Sequence, residues 1–224
     1  MSAPGPLELA VPGEAADLAA FLGRQLRWDR TAAARLRADG PALALFTRPA
    51  RFGVLAVRVV ALREPAALDT TVSAGELLEA LDTERGAVPV PAPVTGPSWA
   101  GMLPPRGAWR PLADLPDGTV RDAAASVIAE FRRRTEALPD QGRTRTALDA
   151  LAEEIWSRHL PGTSLPLRAV HAAHALGFLR APGPSAVLAS GPWLRLRTAL
   201  GSTAVRRAGG LPGLGVTPLA SPAH

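Results

Sequence analysis

The fold of the second half of the chain depends on PLRAVHAAHALGFLRAPGPSAVLASGPWLRLR, residues 166–197. Its first part, from about Pro166 to Leu179, has apolar residues at helical spacing and predicts a helix. The face expected toward the core comprises Ala169, Ala172, Ala173 and Leu176, and the outward face comprises Arg168, His171 and Ala175. Two apolar runs follow, Ala186–Ala189 and Trp193–Thr198, on either side of a Ser-Gly-Pro turn, and they predict a β-hairpin.

Two further helices precede this stretch, and one further strand follows it. The first helix is expected from Asp117-Gly118 to about Leu138, and the second from about Thr146 to Arg158, where Pro161-Gly162 ends it. The last strand is expected at Thr203–Arg206. The second half is therefore predicted to be three helices followed by a β-meander.

This order of elements resembles a winged helix-turn-helix over residues 118–207. The stretch Leu176-Gly177-Phe178-Leu179 resembles the end of a recognition helix, and Ser185–Arg197 resembles the wing hairpin. The resemblance implies that the third helix presents Arg168 and His171 to DNA bases. It further implies phosphate contacts from Arg180, Arg195, Arg197, Arg206 and Arg207. The whole chain also resembles conserved actinobacterial proteins of unknown function, which implies no activity.

Charge is distributed unevenly along the 224 residues. All 25 basic residues are arginine, and the formal net charge is +5. Residues 1–154 contain 18 arginines and all 20 acidic residues, whereas residues 155–224 contain seven arginines and no acidic residue. An acid-free basic segment favours a partner such as DNA or another polyanion. The absence of Lys, Tyr, Asn and Cys is typical of a GC-rich genome, so codon usage is the alternative explanation for the arginines.

The first half of the chain is predicted to be an α+β domain over residues 14–85. Its expected elements are a helix at Glu14–Trp28, a short helix from Asp29 to Arg37, strands at Leu43–Phe46, Val54–Leu62 and Asp69–Val72, and a helix from Ser73 to Leu81. Ser73 and Glu76 form a capping-box pattern that predicts where the last helix begins.

Residues 86–117 are predicted to connect the two halves. They contain eight prolines together with Trp99 and Trp109. Such a segment is either a polyproline ligand for a partner protein or an ordered connector held by two buried tryptophans, and the tryptophans favour the connector. Residues 1–13 and 208–224 are expected to be flexible tails. The predicted fold class is thus α+β, with a helix-hairpin-strand-helix half, a Pro-rich connector and a winged-helix-like half.

Several kinds of catalytic chemistry lack their residues. Without lysine the chain can form neither a P-loop nor a Schiff base, and it has no Gly-x-Ser-x-Gly or Gly-x-Gly-x-x-Gly motif. His171 and His174 lie one helical turn apart and could bind a metal with Glu153, Glu154 or His159. A structural role for these histidines is favoured because the glutamate of His-Glu-x-x-His is absent. We expect no catalytic residue, no metal and no cofactor.

The sequence leaves three hypotheses of function. The first is a non-enzymatic regulatory protein that binds nucleic acid through its basic C-terminal half. The alternative is an interaction or scaffold protein with no nucleic-acid contact, which binds a protein partner or forms a homodimer. A small metal-dependent enzyme that uses His171 and His174 is a weaker third. No signal peptide or membrane segment is predicted, so a cytoplasmic location and no membrane partner are expected.

Overall fold

The structure, a computed structural model, describes residues 5–207. Its helices are α1 (Glu14–Trp28), α2 (Ala74–Ala80), α3 (Thr119–Glu136), α4 (Arg145–Ser157) and α5 (Leu167–Ala175). Its strands are β1 (Leu7–Glu8), β2 (Ala33–Thr47), β3 (Leu55–Ser73), β4 (Ala87–Val88), β5 (Arg110–Leu115), β6 (Ser185–Ser190), β7 (Trp193–Arg197) and β8 (Ser202–Arg206). Short 3₁₀ turns lie at Ser98–Gly101 and Asp140–Gly142.

One six-stranded sheet contains strands from both halves of the chain. Its order is β2-β3-β8-β7-β6-β5, and all neighbours are antiparallel. The halves meet where β3 pairs with β8, with Leu55 opposite Ala204. The short strands β1 and β4 pair separately.

The predicted winged-helix-like fold class is wrong. Strands β6 to β8 were expected to form a wing beside three helices, but they lie between β3 and β5 in the shared sheet. The burial of β6 gives the physical reason, because every residue from Ser185 to Ser190 is buried. A strand buried on both faces needs cover on both sides, which an exposed wing lacks.

The predicted helix at residues 29–37 is also wrong. Residues 33–37 belong to β2, in which Ala34, Leu36 and Ala38 are buried while Arg35 and Arg37 alternate with them. This alternation has the period of a strand, and Asp29 does not begin a helix. The first-half hairpin is confirmed, although β2 and β3 are much longer than expected and pair from Ala33↔Ser73 to Thr47↔Ala56.

The other predicted helices are confirmed, although α5 ends at Ala175 and not at about Leu179 as predicted. Helix α1 has the expected bounds, and the Ser73 hydroxyl accepts a hydrogen bond from the Glu76 amide at the start of α2. The main core lies between one face of the sheet and the helices. The buried face of α5 is the one expected, and the Thr203 hydroxyl of β8 donates to the Ala169 carbonyl at 2.9 Å. Hydrophobic burial on this face holds the two halves together.

The opposite face of the sheet is covered in part by the Pro-rich segment. Trp99 and Trp109 are half-buried and pack against a small cluster made by Leu55, Trp193 and Ala204. The end of the segment is strand β5, which the sequence did not predict. No helix within residues 5–207 has the length and apolar character needed to cross a bilayer.

Candidate functional site

The loop between β2 and β3 separates two neighbouring clefts. Arg51 and Gly53 have positive φ values of 71° and 65°, and this conformation lets the loop turn sharply while Phe52 is buried. Gly53 and Arg168 line both clefts. A Cβ atom at Gly53 would lie 3.7 Å from Nη1 of Arg168, so the loop and the guanidinium group are in close contact. Together they form the boundary between the two clefts, which we call the divide.

The first of these two clefts, which we name the aromatic cleft, has a volume of about 900 Å³. Five rings run along it in one row. Trp28 meets Phe52 edge to face with centroids 5.2 Å apart, and Phe52 meets His171 in the same way at 5.0 Å. His171 stacks on Trp156 at 4.0 Å, and Trp156 lies 5.8 Å from Phe131. Four elements and one loop contribute to this row, which presents a continuous apolar surface.

One end of the aromatic cleft is exposed to solvent. Trp28, in the last turn of α1, is 46% exposed. Ile128 of α3 and Leu148 of α4 add aliphatic surface. The two carboxylates of the cleft each have an arginine partner. Asp149 lies 3.6 Å from Arg145, and Glu153 lies 3.4 Å from Arg168.

His171 behaves as part of the apolar row. Burial, with a smaller contribution from the charge of His174, lowers the pKa of His171 from 6.5 to about 4. The imidazole is therefore neutral at pH 7 and stacks as a flat ring. His174 is exposed, and within residues 5–207 no group of three His, Cys, Asp or Glu side chains could hold a metal ion.

The second cleft on the other side of the β2–β3 loop, which we name the arginine cleft, has a volume of about 630 Å³. Its charged lining residues are Arg48, Arg168, Arg206 and Arg207, and none of its lining residues is acidic. Arg206 lies over the Trp193 ring, 6.0 Å from its centroid. The Nε atom of Arg168 is buried and has no hydrogen-bond partner among the residues that the structure describes.

The structure brings together only some of the predicted site residues. Arg168, Arg206 and Arg207 share the arginine cleft, and Arg168 and His171 share the aromatic cleft. Arg195 lies outside both clefts, 5.5 Å over the Trp109 ring, and burial together with the nearby Arg197 lowers its pKa. Arg180 and Arg197 are exposed and line neither cleft. A role for these residues in nucleic-acid binding stays a prediction.

Sequence reasoning missed the aromatic row and Arg48. Trp28 and Trp156 lie on predicted helices, but nothing in their local pattern shows that they converge with Phe52 and Phe131. The one sequence feature that could have indicated the aromatic row is Trp28, a tryptophan at the polar end of a helix. Arg48 comes from the acidic half of the chain, so the charge asymmetry does not indicate it.

Comparison with known proteins identifies two matched regions. Residues 2–101 match the family described as Domain of unknown function (DUF8010), and residues 104–210 match Domain of unknown function (DUF8185). The two regions meet inside the Pro-rich segment. No curated protein matches the chain.

Among solved structures, the chain is similar to bacterial clamp proteins at low identity. DNA polymerase III subunit beta from Pseudomonas aeruginosa is 12% identical with a TM-score of 0.46, over 88% of this chain and 64% of that one. A DNA polymerase sliding clamp from the same organism is 11% identical with a TM-score of 0.47, over 93% and 66%. The H. pylori beta clamp in complex with 5-chloroisatin is 11% identical with a TM-score of 0.41, over 91% and 62%. The chain thus spans less than two thirds of each of these proteins.

Proposed function

We propose that this protein is an interaction protein that binds a partner protein in the aromatic cleft. The observation that carries the proposal is the row of five rings that lines the aromatic cleft, in which Phe52 is buried and Trp28, at one end, is 46% exposed. Clustered aromatic side chains in a concave surface are the usual anchors of protein interfaces. A partner that buries this row removes apolar surface from water, at about 25 cal/mol for each Å².

The lining of the aromatic cleft favours binding over catalysis. A general acid or base needs a side chain free to exchange a proton. His171 is instead held between two rings and stays neutral, and Asp149 and Glu153 are each paired with arginine. The cleft therefore provides a concave apolar surface for binding and no free group for proton transfer among these side chains.

The helical walls and the charge of the rim indicate what the partner presents. Helices α3, α4 and α5 line the cleft, and apolar grooves between helices bind amphipathic helices. After the pairs Arg145–Asp149 and Arg168–Glu153 are counted, Arg51 has no carboxylate partner among residues 5–207. The partner segment is therefore an amphipathic helix with two apolar anchors and an acidic residue beside them.

Nucleic-acid binding through the basic C-terminal half has less support from the geometry. Of the arginines proposed for phosphate contacts, Arg206 and Arg207 line the arginine cleft, whereas Arg195 packs on Trp109 outside that cleft. His171, proposed to contact bases, is stacked between Phe52 and Trp156. Helix α5 packs on the sheet face that contains Thr203, whereas strand alternation places Arg195 and Arg206 on the opposite face, which does not favour a duplex that rests on α5.

A peptide selection tests the proposed function. Random 16-residue peptides displayed on phage are selected against the full chain, and the affinity of the enriched peptides is measured for the wild type and for Leu148→Glu. We expect enriched peptides with two large apolar residues three or four positions apart and an acidic residue. Leu148→Glu should weaken their binding at least about 30-fold, because the new carboxylate must lose water in the apolar contact and repels the acidic residue of the peptide.

Leu112→Glu is the matched control, because Leu112 is 40% exposed on β5 and lines neither cleft. It should leave peptide affinity unchanged. Enriched peptides that bind Leu148→Glu as tightly as the wild type would contradict the proposal. So would a homodimer in light scattering that Leu148→Glu dissociates, because a second copy would then occupy the cleft.

A further inference from the structure

The arginine cleft concentrates positive charge in a concave site. Arg48, Arg206 and Arg207 are exposed, and no carboxylate lies within 4.0 Å of their guanidinium nitrogens among residues 5–207. Among residues 5–207, the one carboxylate partner of Arg168 is Glu153, which lies 3.4 Å away in the aromatic cleft. Like charges that share a cleft repel one another, and a bound anion relieves that repulsion.

The backbone adds to this positive charge. Helix α5, nine residues long, begins beside the cleft, where Pro166 and Arg168 form part of the lining. Its first turn contains no acidic residue. The dipole of a helix is positive at its N-terminus, so α5 adds positive potential beside the four guanidinium groups, while the Leu167 and Ala169 amides of its first turn donate to the Arg158 and Pro166 carbonyls.

The floor of the arginine cleft is apolar and aromatic. Leu55, Trp193 and Ala204 form one buried cluster, and Trp99 packs against it. Trp99 and Met102 are both part of the cleft lining, and Met102 is 54% exposed. A ligand that fits this site therefore has an anionic end for the arginines and a flat apolar body for the floor.

We propose that the arginine cleft binds a small phosphate monoester with a flat aromatic body, of which nucleoside monophosphates are one kind. A phosphate monoester carries close to two negative charges at pH 7, and its oxygens match the paired N–H donors of arginine. A cavity of about 630 Å³ is of the size that holds small ligands. This site is separate from the aromatic cleft, so it does not depend on the proposed protein partner.

Calorimetric titration of the full chain with four probes tests the proposal. The probes are adenosine 5′-monophosphate, phenyl phosphate, inorganic phosphate and adenosine. We expect both monoesters to bind at least about tenfold more tightly than inorganic phosphate, which lacks the apolar body, and than adenosine, which lacks the charge. Binding of the monoesters should also change the tryptophan fluorescence, since two indoles lie in the cleft.

Two substitutions locate the site. Arg48→Ala and Arg207→Ala replace exposed side chains from the two halves of the chain, and each should weaken monoester binding about tenfold by removing a charge-assisted hydrogen bond. Arg197→Ala is the matched control, because Arg197 is exposed on β7 and outside the cleft, and it should leave the affinity unchanged. Leu148→Glu, in the aromatic cleft, should leave it unchanged as well.

Three results would overturn the proposal. The first is that neither monoester binds more tightly than inorganic phosphate. The second is that Arg197→Ala weakens binding as much as Arg207→Ala does. The third is that a 20-base-pair DNA duplex binds at 50 mM salt, loses about a thousandfold in affinity by 200 mM, and depends on Arg48 and Arg207. That last result would assign the arginines to nucleic acid.

Discussion

Replacing Gly86 with alanine is expected to lower the free energy of unfolding by about 3 kcal/mol. Gly86 has a φ of +70°, where a side chain is strained, and a Cβ atom there would lie 2.5 Å from Cα of Pro12. The Cα atom of Pro12 belongs to the backbone, so rotation of a side chain cannot relieve the clash. The Gly86 carbonyl also accepts a hydrogen bond from the Leu9 amide at 2.8 Å, so relief of the clash would displace β1. Urea unfolding followed by circular dichroism measures the change.

Two other glycines separate the causes of this loss. Gly40 has a φ of +88° with no atom near its Cβ position, so Gly40→Ala should cost about 1–2 kcal/mol from backbone strain alone. Gly13, with a φ of −60° and open space around it, should tolerate alanine within about 0.5 kcal/mol. Equal losses for Gly86→Ala and Gly40→Ala would show that the contact with Pro12 is not close.

Acidification is expected to destabilise the fold through His171. Its pKa is lowered to about 4 in the folded chain by burial, against 6.5 when exposed, so the unfolded chain takes up the proton first. The stability that comes from the neutral imidazole is complete above pH 6.5 and is lost as the pH falls from 6.5 to about 4. Between pH 7 and 4.5 the loss should be about 2 kcal/mol, after allowance for partial exposure of the ring. Urea unfolding at a series of pH values measures it.

His171→Phe should abolish this part of the pH dependence, because phenylalanine keeps a flat ring against Trp156 and does not titrate. His174→Gln is the control from the same helix and should keep most of the loss, since His174 is exposed. All three proteins contain the same carboxylates, so a difference in their loss of stability on acidification comes from the histidine that is replaced. An equal loss of stability in the wild type and in His171→Phe would contradict the burial of His171 as a neutral ring.

Local patterns predicted most of the helices, and non-local pairing decided the rest of the fold. Helix α1 could be predicted because Leu18, Phe21 and Leu22 repeat with helical spacing within the helix itself. The pairing of Leu55 with Ala204 could not be predicted, because each strand has the same alternation whichever partner it takes. Strand β5 was hidden by Pro111, which interrupts its pattern where the register with β6 shifts.

The candidate site was predictable only in its charge. The acid-free segment favoured an anionic partner, and the winged-helix resemblance implied phosphate contacts from Arg206 and Arg207 as well as from Arg180, Arg195 and Arg197, which line neither cleft. The convergence of Arg206 and Arg207 with Arg48 depends on the β3–β8 pairing, which brings the first half of the chain beside the second. The aromatic row depends on the packing of separate elements around α5, so no single stretch of sequence contains its signal.

The most direct test of the aromatic cleft as a docking site uses the indole N–H signals of Trp28, Trp99, Trp109, Trp156 and Trp193 in a ¹⁵N NMR spectrum. These five are the only tryptophans of the chain, and single Trp→Phe substitutions assign the signals. Titration with the most strongly enriched peptide should shift the signals of Trp28 and Trp156, which line the aromatic cleft. The signals of Trp99, Trp109 and Trp193 should remain in place. Shifts confined to Trp99 and Trp193, or unchanged signals for Trp28 and Trp156 at saturating peptide, would contradict the account.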